Sequence, residues 1–230
     1  MIANRPAKAA LYDVIAQVAQ AAANPHRLEL LDLLVQAPRS VEQLAEASAL
    51  SIANASQHLQ RLKQAGLVAS ERRGTTIRYR IATIAVVRLW VELRIVAEQQ
   101  LAEMDRALDT YRTQRHSFEQ ISAEDLHQHL ATGDVLLLDV RPQLEYDAGH
   151  LPGAIAIPID ELLDRLDELP TDTLIVTYCR GPLCVYADQA LELITTSGRH
   201  GARLEEGIAE WQLAGYPLAD SNPSTNGNAR

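Results

Sequence analysis

Leu174-Ile175-Val176-Thr177-Tyr178 followed by Cys179-Arg180-Gly181-Pro182-Leu183-Cys184 is the stretch that decides the fold of the second half of this chain. The first five residues form a short apolar run that reads as a buried strand. Residues 185–194 have the spacing of an amphipathic helix. A cysteine therefore stands in a short loop between a strand end and a helix start. The N–H groups of such a loop can all point inward, and the helix N-terminus adds partial positive charge. A thiolate there is stabilised, and Arg180 places a full positive charge beside it. The pattern predicts a cysteine nucleophile, Cys179, that passes through anionic states.

Outward from this loop, strand and helix patterns alternate. Asp134-Val135-Leu136-Leu137-Leu138-Asp139-Val140 reads as a buried strand, and residues 142–148 as a short helix. Residues 149–155 are turn-rich and residues 159–169 helical. Ala202-Arg203-Leu204 reads as a short strand and residues 207–214 as a helix. Alternation of this kind predicts an α/β domain with a mostly parallel sheet. Such sheets place their sites at the carboxyl ends of strands. The domain is expected over residues 118–218, after a linker at 114–117 and before a disordered, Ser/Asn/Gly-rich tail at 219–230.

The 230 residues suit two small domains, and the 47% apolar content supports real cores. No apolar run is long enough to cross a membrane. The N-terminus lacks a signal-like apolar segment, and both cysteines lie in one loop, so a cytoplasmic, reducing compartment is expected. Net charge is −9 but unevenly spread: residues 1–115 carry +4 and residues 116–230 carry −13. Only the first half suits a nucleic-acid partner.

That first half is mainly α. Residues 10–23 suit a helix with Leu11, Val14, Ile15 and Val18 on one side. Asn24 is a good N-cap and Pro25 a good first helical residue. The helix they open runs through Leu28, Leu30, Leu31 and Leu34. Ser40-Val41-Glu42-Gln43 has the form of a capping box. Ser51 caps a further helix that reaches Gln64 and ends at Gly66. Strands follow on either side of a turn at Arg73-Gly74-Thr75. Two helices joined by a short turn, then a two-stranded wing, make a winged helix-turn-helix whose second helix enters the major groove. Ser51, Ala53, Asn54, Ser56, Gln57 and His58 are small or hydrogen-bonding, which suits base edges. Arg61 and the wing arginines Arg72, Arg73 and Arg78 suit phosphates.

Residues 83–113 read as one long helix with an apolar stripe: Val86, Trp90, Leu93, Ala97, Leu101, Met104, Leu108 and Tyr111. Either the stripe forms a homodimer interface that continues as a connector, or it packs within one subunit. Residues 1–113 are thus expected to form the DNA-binding half.

Residues 24–31 and 54–68, Asn-Pro-His-Arg-Leu-Glu-Leu-Leu and Asn-Ala-Ser-Gln-His-Leu-Gln-Arg-Leu-Lys-Gln-Ala-Gly-Leu-Val, resemble ArsR-type repressors. The resemblance implies a homodimer bound to an inverted repeat in operator double-stranded DNA and released by an inducer. Many members carry a cysteine pair in the helix that here reads Val41-Glu42-Gln43-Leu44-Ala45-Glu46. No cysteine occurs before Cys179, so no metal site is expected, and no cofactor.

Leu138-Asp139-Val140-Arg141, Gly149-His150-Leu151-Pro152-Gly153-Ala154-Ile155, Tyr178-Cys179-Arg180-Gly181 and Leu204-Glu205-Glu206-Gly207 resemble a rhodanese domain. That family moves sulfane sulfur, and Cys179 matches its nucleophile. The resemblance implies a persulfide on Cys179, formed from a small donor such as thiosulfate and passed to a thiol acceptor. Arg180, Gly181, Pro182, Leu183, Cys184 and Val185 would cradle it, Arg180 would attract an anionic donor, and Asp139 and Arg141 would brace the loop. Related phosphatases have a longer loop whose seventh residue is arginine. Here that residue is Val185, which fits sulfur transfer. Cys184 stands where the family often has a hydroxyl, either as a hydrogen-bonding substitute or as a resolving thiol. Three functions remain in view: a regulator answering to reactive sulfur, a sulfurtransferase whose helix-turn-helix half only dimerises, and a catalytically silent binding module.

Overall fold

The computed structural model describes residues 5–113 and 116–220, apart from the side chains of Arg73, Ala131 and Thr132. The chain forms two compact units, Met1–Trp90 and Val91–Arg230. Of the linker expected at 114–117, residues 114 and 115 lie outside the described residues, as do residues 221–230 of the expected tail. Ala219 itself is held, since its N–H and carbonyl pair with those of His150.

The first unit opens with α1 (Arg5–Ala22) and α2 (Pro25–Gln36). Asn24 caps α2 by accepting the Arg27 N–H at 3.2 Å. Arg27, itself buried, closes the end of α1: its guanidinium donates to the carbonyls of Ala21 and Gln20. A two-residue strand, β1 (Arg39–Ser40), leads into α3 (Val41–Ala47). Ser40 is both the last residue of β1 and the cap of α3, and its capping box with Gln43 is present in both directions. The sequence pattern shows the cap but not the strand, because β1 exists only by pairing with a distant partner.

α4 (Ile52–Gln64) follows, capped by Ser51, and then the wing, β2 (Val68–Arg73) and β3 (Thr76–Ile81). β3 lies between β1 and β2, antiparallel to both. Leu30, Leu34, Leu44, Leu59, Leu62, Val68 and Tyr79 form the core under these elements. Burying side chains of this size stabilises by about 1.5–3 kcal/mol each.

The single helix expected over 83–113 is two helices, α5 (Ile84–Gln100) and α6 (Ala102–Tyr111). Leu101 breaks the ladder with extended backbone, φ −118° and ψ 104°. The apolar stripe divides accordingly. Val86, Trp90 and Leu108 are buried, whereas Leu93, Leu101 and Tyr111 are exposed. Residues 91–113, expected with the first half, belong by packing to the second unit, where Arg94 and Arg112 are buried.

The second unit continues through β4 (Glu119–Ile121), α7 (Ala123–Thr132), β5 (Val135–Asp139), α8 (Gln143–Ala148), β6 (Ile155–Ala156) and α9 (Ile159–Leu162). A 3-10 turn at Leu163–Glu168 precedes β7 (Leu174–Tyr178), α10 (Tyr186–Thr196), β8 (Gly201–Leu204) and α11 (Ile208–Leu213). The five strands are all parallel, in the order β4-β8-β7-β5-β6. β7 is therefore central, and Cys179 follows its last residue. Alternate residues serve opposite faces, as strand geometry requires. Leu138 and Ile175 pack with Ala187, Ala190 and Ile194 of α10, while Leu137 and Val176 pack with Leu126 of α7 and Trp211 of α11.

Candidate functional site

Three adjacent strand ends deliver the site. In the sheet register Asp139 of β5 lies opposite Tyr178 of β7, and Thr177 lies opposite Arg203 of β8. Cys179 thus emerges between Asp139 and Arg203, at the carboxyl edge of the sheet.

Its thiol is 1% exposed. Burial alone raises a thiol pKa. Here the Cys184 thiol donates to Cys179, Arg203 supplies positive charge, and the N–H groups of Gly181 and Ala187 point at the sulfur. Together they outweigh burial and bring Cys179 down to about 6. Cys184 moves the other way. Its hydrogen bond to Cys179, burial and the negative charge of Cys179 all hold its proton on. The two thiols thus share one hydrogen bond, with Cys184 as its donor.

Arg203 was not among the sequence-derived site residues. It is buried, and its Nη2 lies 3.9 Å from Cys179 Sγ. The same nitrogen donates to the carbonyls of Gly181 at 3.0 Å and Cys184 at 3.3 Å. Those carbonyls lie 3.9 Å and 3.6 Å from the sulfur, so Arg203 offsets the negative ends of two dipoles facing the thiolate. Its other arm binds Asp188 on the first turn of α10. Asp188 also takes two bonds from Arg112. Burial works against the Asp188 carboxylate, but both arginines hold it below its usual range. The available signal in sequence was a lone charged residue inside the short strand Ala202-Arg203-Leu204.

Arg180 does not stand free to attract an anionic donor. Its Nε and Nη2 grip the fully buried Glu145 of α8 at 2.6–3.0 Å, and it lies over the Tyr186 ring at 5.5 Å. The positive charge beside the sulfur comes from Arg203 instead. Gly181 holds φ of 133°, which a side chain disfavours. Pro182, Leu183 and Val185 are half-buried around the loop, and Cys184 N–H turns back to the Gly181 carbonyl at 3.1 Å.

Asp139 and Arg141 form a pair with no exposed surface, Nη2 to Oδ2 at 2.6 Å. Arg141 also donates to the Gly149 carbonyl at 2.8 Å. His150 stacks on Tyr146 at 3.7 Å and its Nδ1 lies 2.9 Å from the Tyr146 carbonyl. These groups tie the loop's surroundings together.

In the first unit, Ser51, Ala53, Asn54, Gln57 and Arg61 share the exposed face of α4, while Ser56 and His58 are half-buried. His58 lies against the His26 ring at 5.6 Å. Arg72 is exposed at the wing tip. The side chain of Arg73 lies outside the described residues. Arg78 is half-buried and donates to the Pro38 carbonyl at 2.6 Å, so part of its guanidinium has a structural duty.

Residues 22–71 match a helix-turn-helix domain family, and residues 122–214 match the rhodanese-like domain family. The HTH-type transcriptional regulator Rv0324 of Mycobacterium tuberculosis is 45% identical over 222 residues, covering 96% of this chain and 97% of that protein. A sulfurtransferase of Allochromatium vinosum is 36% identical over 100 residues, covering 43% of this chain and 92% of that protein. The solution structure of a homodimeric winged helix-turn-helix fragment from Mycobacterium bovis, described as a possible ArsR-family regulator, is 44% identical, covering 45% of this chain and 94% of that one with a TM-score of 0.41. By the match that runs nearly end to end, this chain belongs to the HTH-type transcriptional regulators, with a helix-turn-helix domain in its first half and a rhodanese-like domain in its second.

Proposed function

We propose that this regulator binds operator DNA as a homodimer and that sulfur loading of Cys179 changes its DNA affinity. The observation that carries the reading is the environment of Cys179. It is a buried thiol drawn down to about 6 by Cys184, Arg203 and the amides of Gly181 in the loop and Ala187 in the first turn of α10, in a chain whose other cysteine is its hydrogen-bond donor. The DNA-binding unit has no thiol of its own.

The chemistry follows from the cradle. The Cys179 thiolate attacks the outer sulfur of thiosulfate. A sulfur–sulfur bond forms, the donor's own sulfur–sulfur bond breaks, and sulfite leaves with the electron pair. The resulting persulfide is anionic and remains within reach of Arg203 and the loop N–H groups. An acceptor thiolate then takes the terminal sulfur and returns Cys179 as thiolate. Because Cys179 is 1% exposed, an added sulfur atom requires the loop to swell. A loaded loop therefore differs in shape from an empty one, and a differential effect on two conformations is what a switch needs.

The dimer reading rests on geometry. A helix-turn-helix that reads an inverted repeat needs a two-fold partner. Leu11, Tyr12, Val14 and Ile15 of α1 are each at least 60% exposed, an apolar face left open to solvent in a single chain.

The test is operator affinity, at matched salt, of reduced and persulfidated protein beside Cys179→Ser. A coupling of about 1–3 kcal/mol changes affinity roughly 5- to 150-fold. Equal affinity for the two wild-type forms would leave a DNA binder and a sulfur carrier on one chain without communication.

A further inference from the structure

We infer that Arg112, which lies outside the residues matching the rhodanese-like family, is a positioning residue for Cys179, holding Arg203 against the sulfur through Asp188 and holding the loop through Pro182. The inference deepens the reading of Cys179 as the sulfur-loading thiol and rests on it.

Arg112 caps α6, the last helix before the rhodanese-like domain. Its side chain is buried, which a guanidinium tolerates only when paired. Nε donates to Asp188 Oδ2 at 2.7 Å and Nη2 to Asp188 Oδ1 at 3.0 Å. Nη1 donates to the Pro182 carbonyl at 2.9 Å, in the middle of the nucleophile's loop. Asp188 Oδ1 is shared with Arg203 Nη1, and Arg203 Nη2 is the atom next to the sulfur. Four residues thus run without a gap: Arg112, Asp188, Arg203, Cys179.

The charges explain why two arginines are needed. With Cys179 as a thiol, the cluster carries two positive charges and one negative. Ionising Cys179 brings it to neutrality. Without Arg112, Arg203 is already neutralised by Asp188, and the thiolate becomes an excess negative charge in the interior, the costly case. The other groups around the loop do not replace it. Arg180 is committed to Glu145, and Cys184 is a neutral donor. Tyr186 of α10 lies under the Arg180 guanidinium, burial holds the proton on Tyr111 of α6, and Glu210 of α11 is paired with Arg94. Losing Arg112 takes the ionised cluster from neutral to a net negative charge, and Arg112 arrives from the connector rather than from the rhodanese-like domain.

The experiment is the pH profile of Cys179 alkylation by iodoacetamide on the full reduced chain, with the two cysteine peptides resolved by mass spectrometry. Arg112→Met keeps length and removes charge; Arg112→Lys keeps charge and loses the fork. The wild-type profile is expected to rise with a midpoint near 6. Arg112→Met is expected to move the midpoint up by about one unit or more, a reaction about fivefold slower or more at pH 6. Arg112→Lys should fall between. A Met profile that overlays the wild type overturns the inference, and so does a Lys profile shifted as far as Met. A Met variant that loses the rhodanese fold by circular dichroism leaves the Lys variant to decide: a Lys profile between wild type and a free cysteine supports the inference, and one on the wild type or matching a free cysteine overturns it. Alkylation needs neither sulfur donor nor DNA. Its outcome is therefore independent of whether persulfidation changes operator affinity.

Discussion

Tyr178 donates its phenolic hydrogen to Asp139 Oδ2 over 2.6 Å, and neither residue has exposed surface. The same phenol oxygen accepts the Leu151 N–H at 3.1 Å, and the Arg141 guanidinium lies 5.5 Å from the Tyr178 ring centre. The residue before the nucleophile is thus anchored to the neighbouring strand end and to the Gly149–Ile155 crossing. Burial, together with the negative charge of Asp139, keeps Tyr178 protonated far above the ordinary phenol range.

Asp139→Asn removes the charge that pairs with Arg141 while leaving the shape. A buried guanidinium left without its counter-charge costs about 3–5 kcal/mol. Tyr178→Phe loses both hydrogen bonds of the phenol; Asp139 Oδ2 keeps Arg141, but the Leu151 N–H loses its acceptor, for about 1–3 kcal/mol. Urea unfolding followed at Trp211 fluorescence should rank them in that order. An Asp139→Asn protein as stable as wild type would remove the bracing role.

The pH dependence of Cys179 has a definite sign. Its folded pKa, about 6, lies below the ordinary thiol value of roughly 8.5. The contribution to stability is therefore fully present above the unfolded value and is lost as pH falls through about 6. The difference in unfolding free energy between wild type and Cys179→Ala should shrink by about 3 kcal/mol between pH 9 and pH 5. Cys184→Ala, which deletes the donor, should raise the Cys179 midpoint, whereas Cys184→Ser should largely keep it. A resolving thiol predicts no such separation: Ser as defective as Ala in single-turnover disulfide formation, with no change of midpoint in either.

What could be read from sequence here was whatever is local or periodic. The capping box at Ser40 and Gln43, the cap at Asn24, and the strand–loop–helix around Cys179 depend on neighbours within a few residues. Asp188 lies 76 residues from Arg112 and 15 from Arg203 along the chain, so their meeting is set by the sheet and not by any motif. Leu101 was invisible for a different reason. The apolar spacing runs straight through it, and no proline or glycine marks the break. Arg180 misled because a charge beside a nucleophile looks functional until Glu145, 35 residues away, is seen to hold it.

Gly207 has no room for a side chain. A Cβ there would stand 2.3 Å from the Arg180 carbonyl oxygen and 2.7 Å from Gly181 Cα, both backbone atoms of the nucleophile's loop. Gly207→Ala must push that loop, at a cost of about 1–3 kcal/mol. Persulfide formation on Cys179, read by mass spectrometry after thiosulfate, should fall sharply, while hydrogen exchange in the helix-turn-helix unit stays unchanged. Wild-type loading in this variant would show that loop geometry does not control the chemistry.

The last prediction separates the arginines of the wing. Arg72 is exposed, and its bond to the Gly74 carbonyl, at 3.0 Å, stays within the turn. Arg78 reaches across to Pro38 and so ties β3 to the chain entering β1. Arg72→Ala should weaken binding to all DNA sequences alike and flatten the salt dependence by about one unit for each phosphate no longer neutralised, with stability unchanged. Arg78→Ala should lower the stability of the first unit by about 1 kcal/mol as well, because a half-buried carbonyl loses its donor. Gln57→Ala, on the exposed face of α4, should instead change which base is preferred and leave the salt slope alone. The measurement is binding to operator and to scrambled duplex across a salt series, beside thermal melts of each variant. Should Arg72→Ala and Gln57→Ala both leave affinity and slope untouched, α4 and the wing are not the DNA-contacting surface.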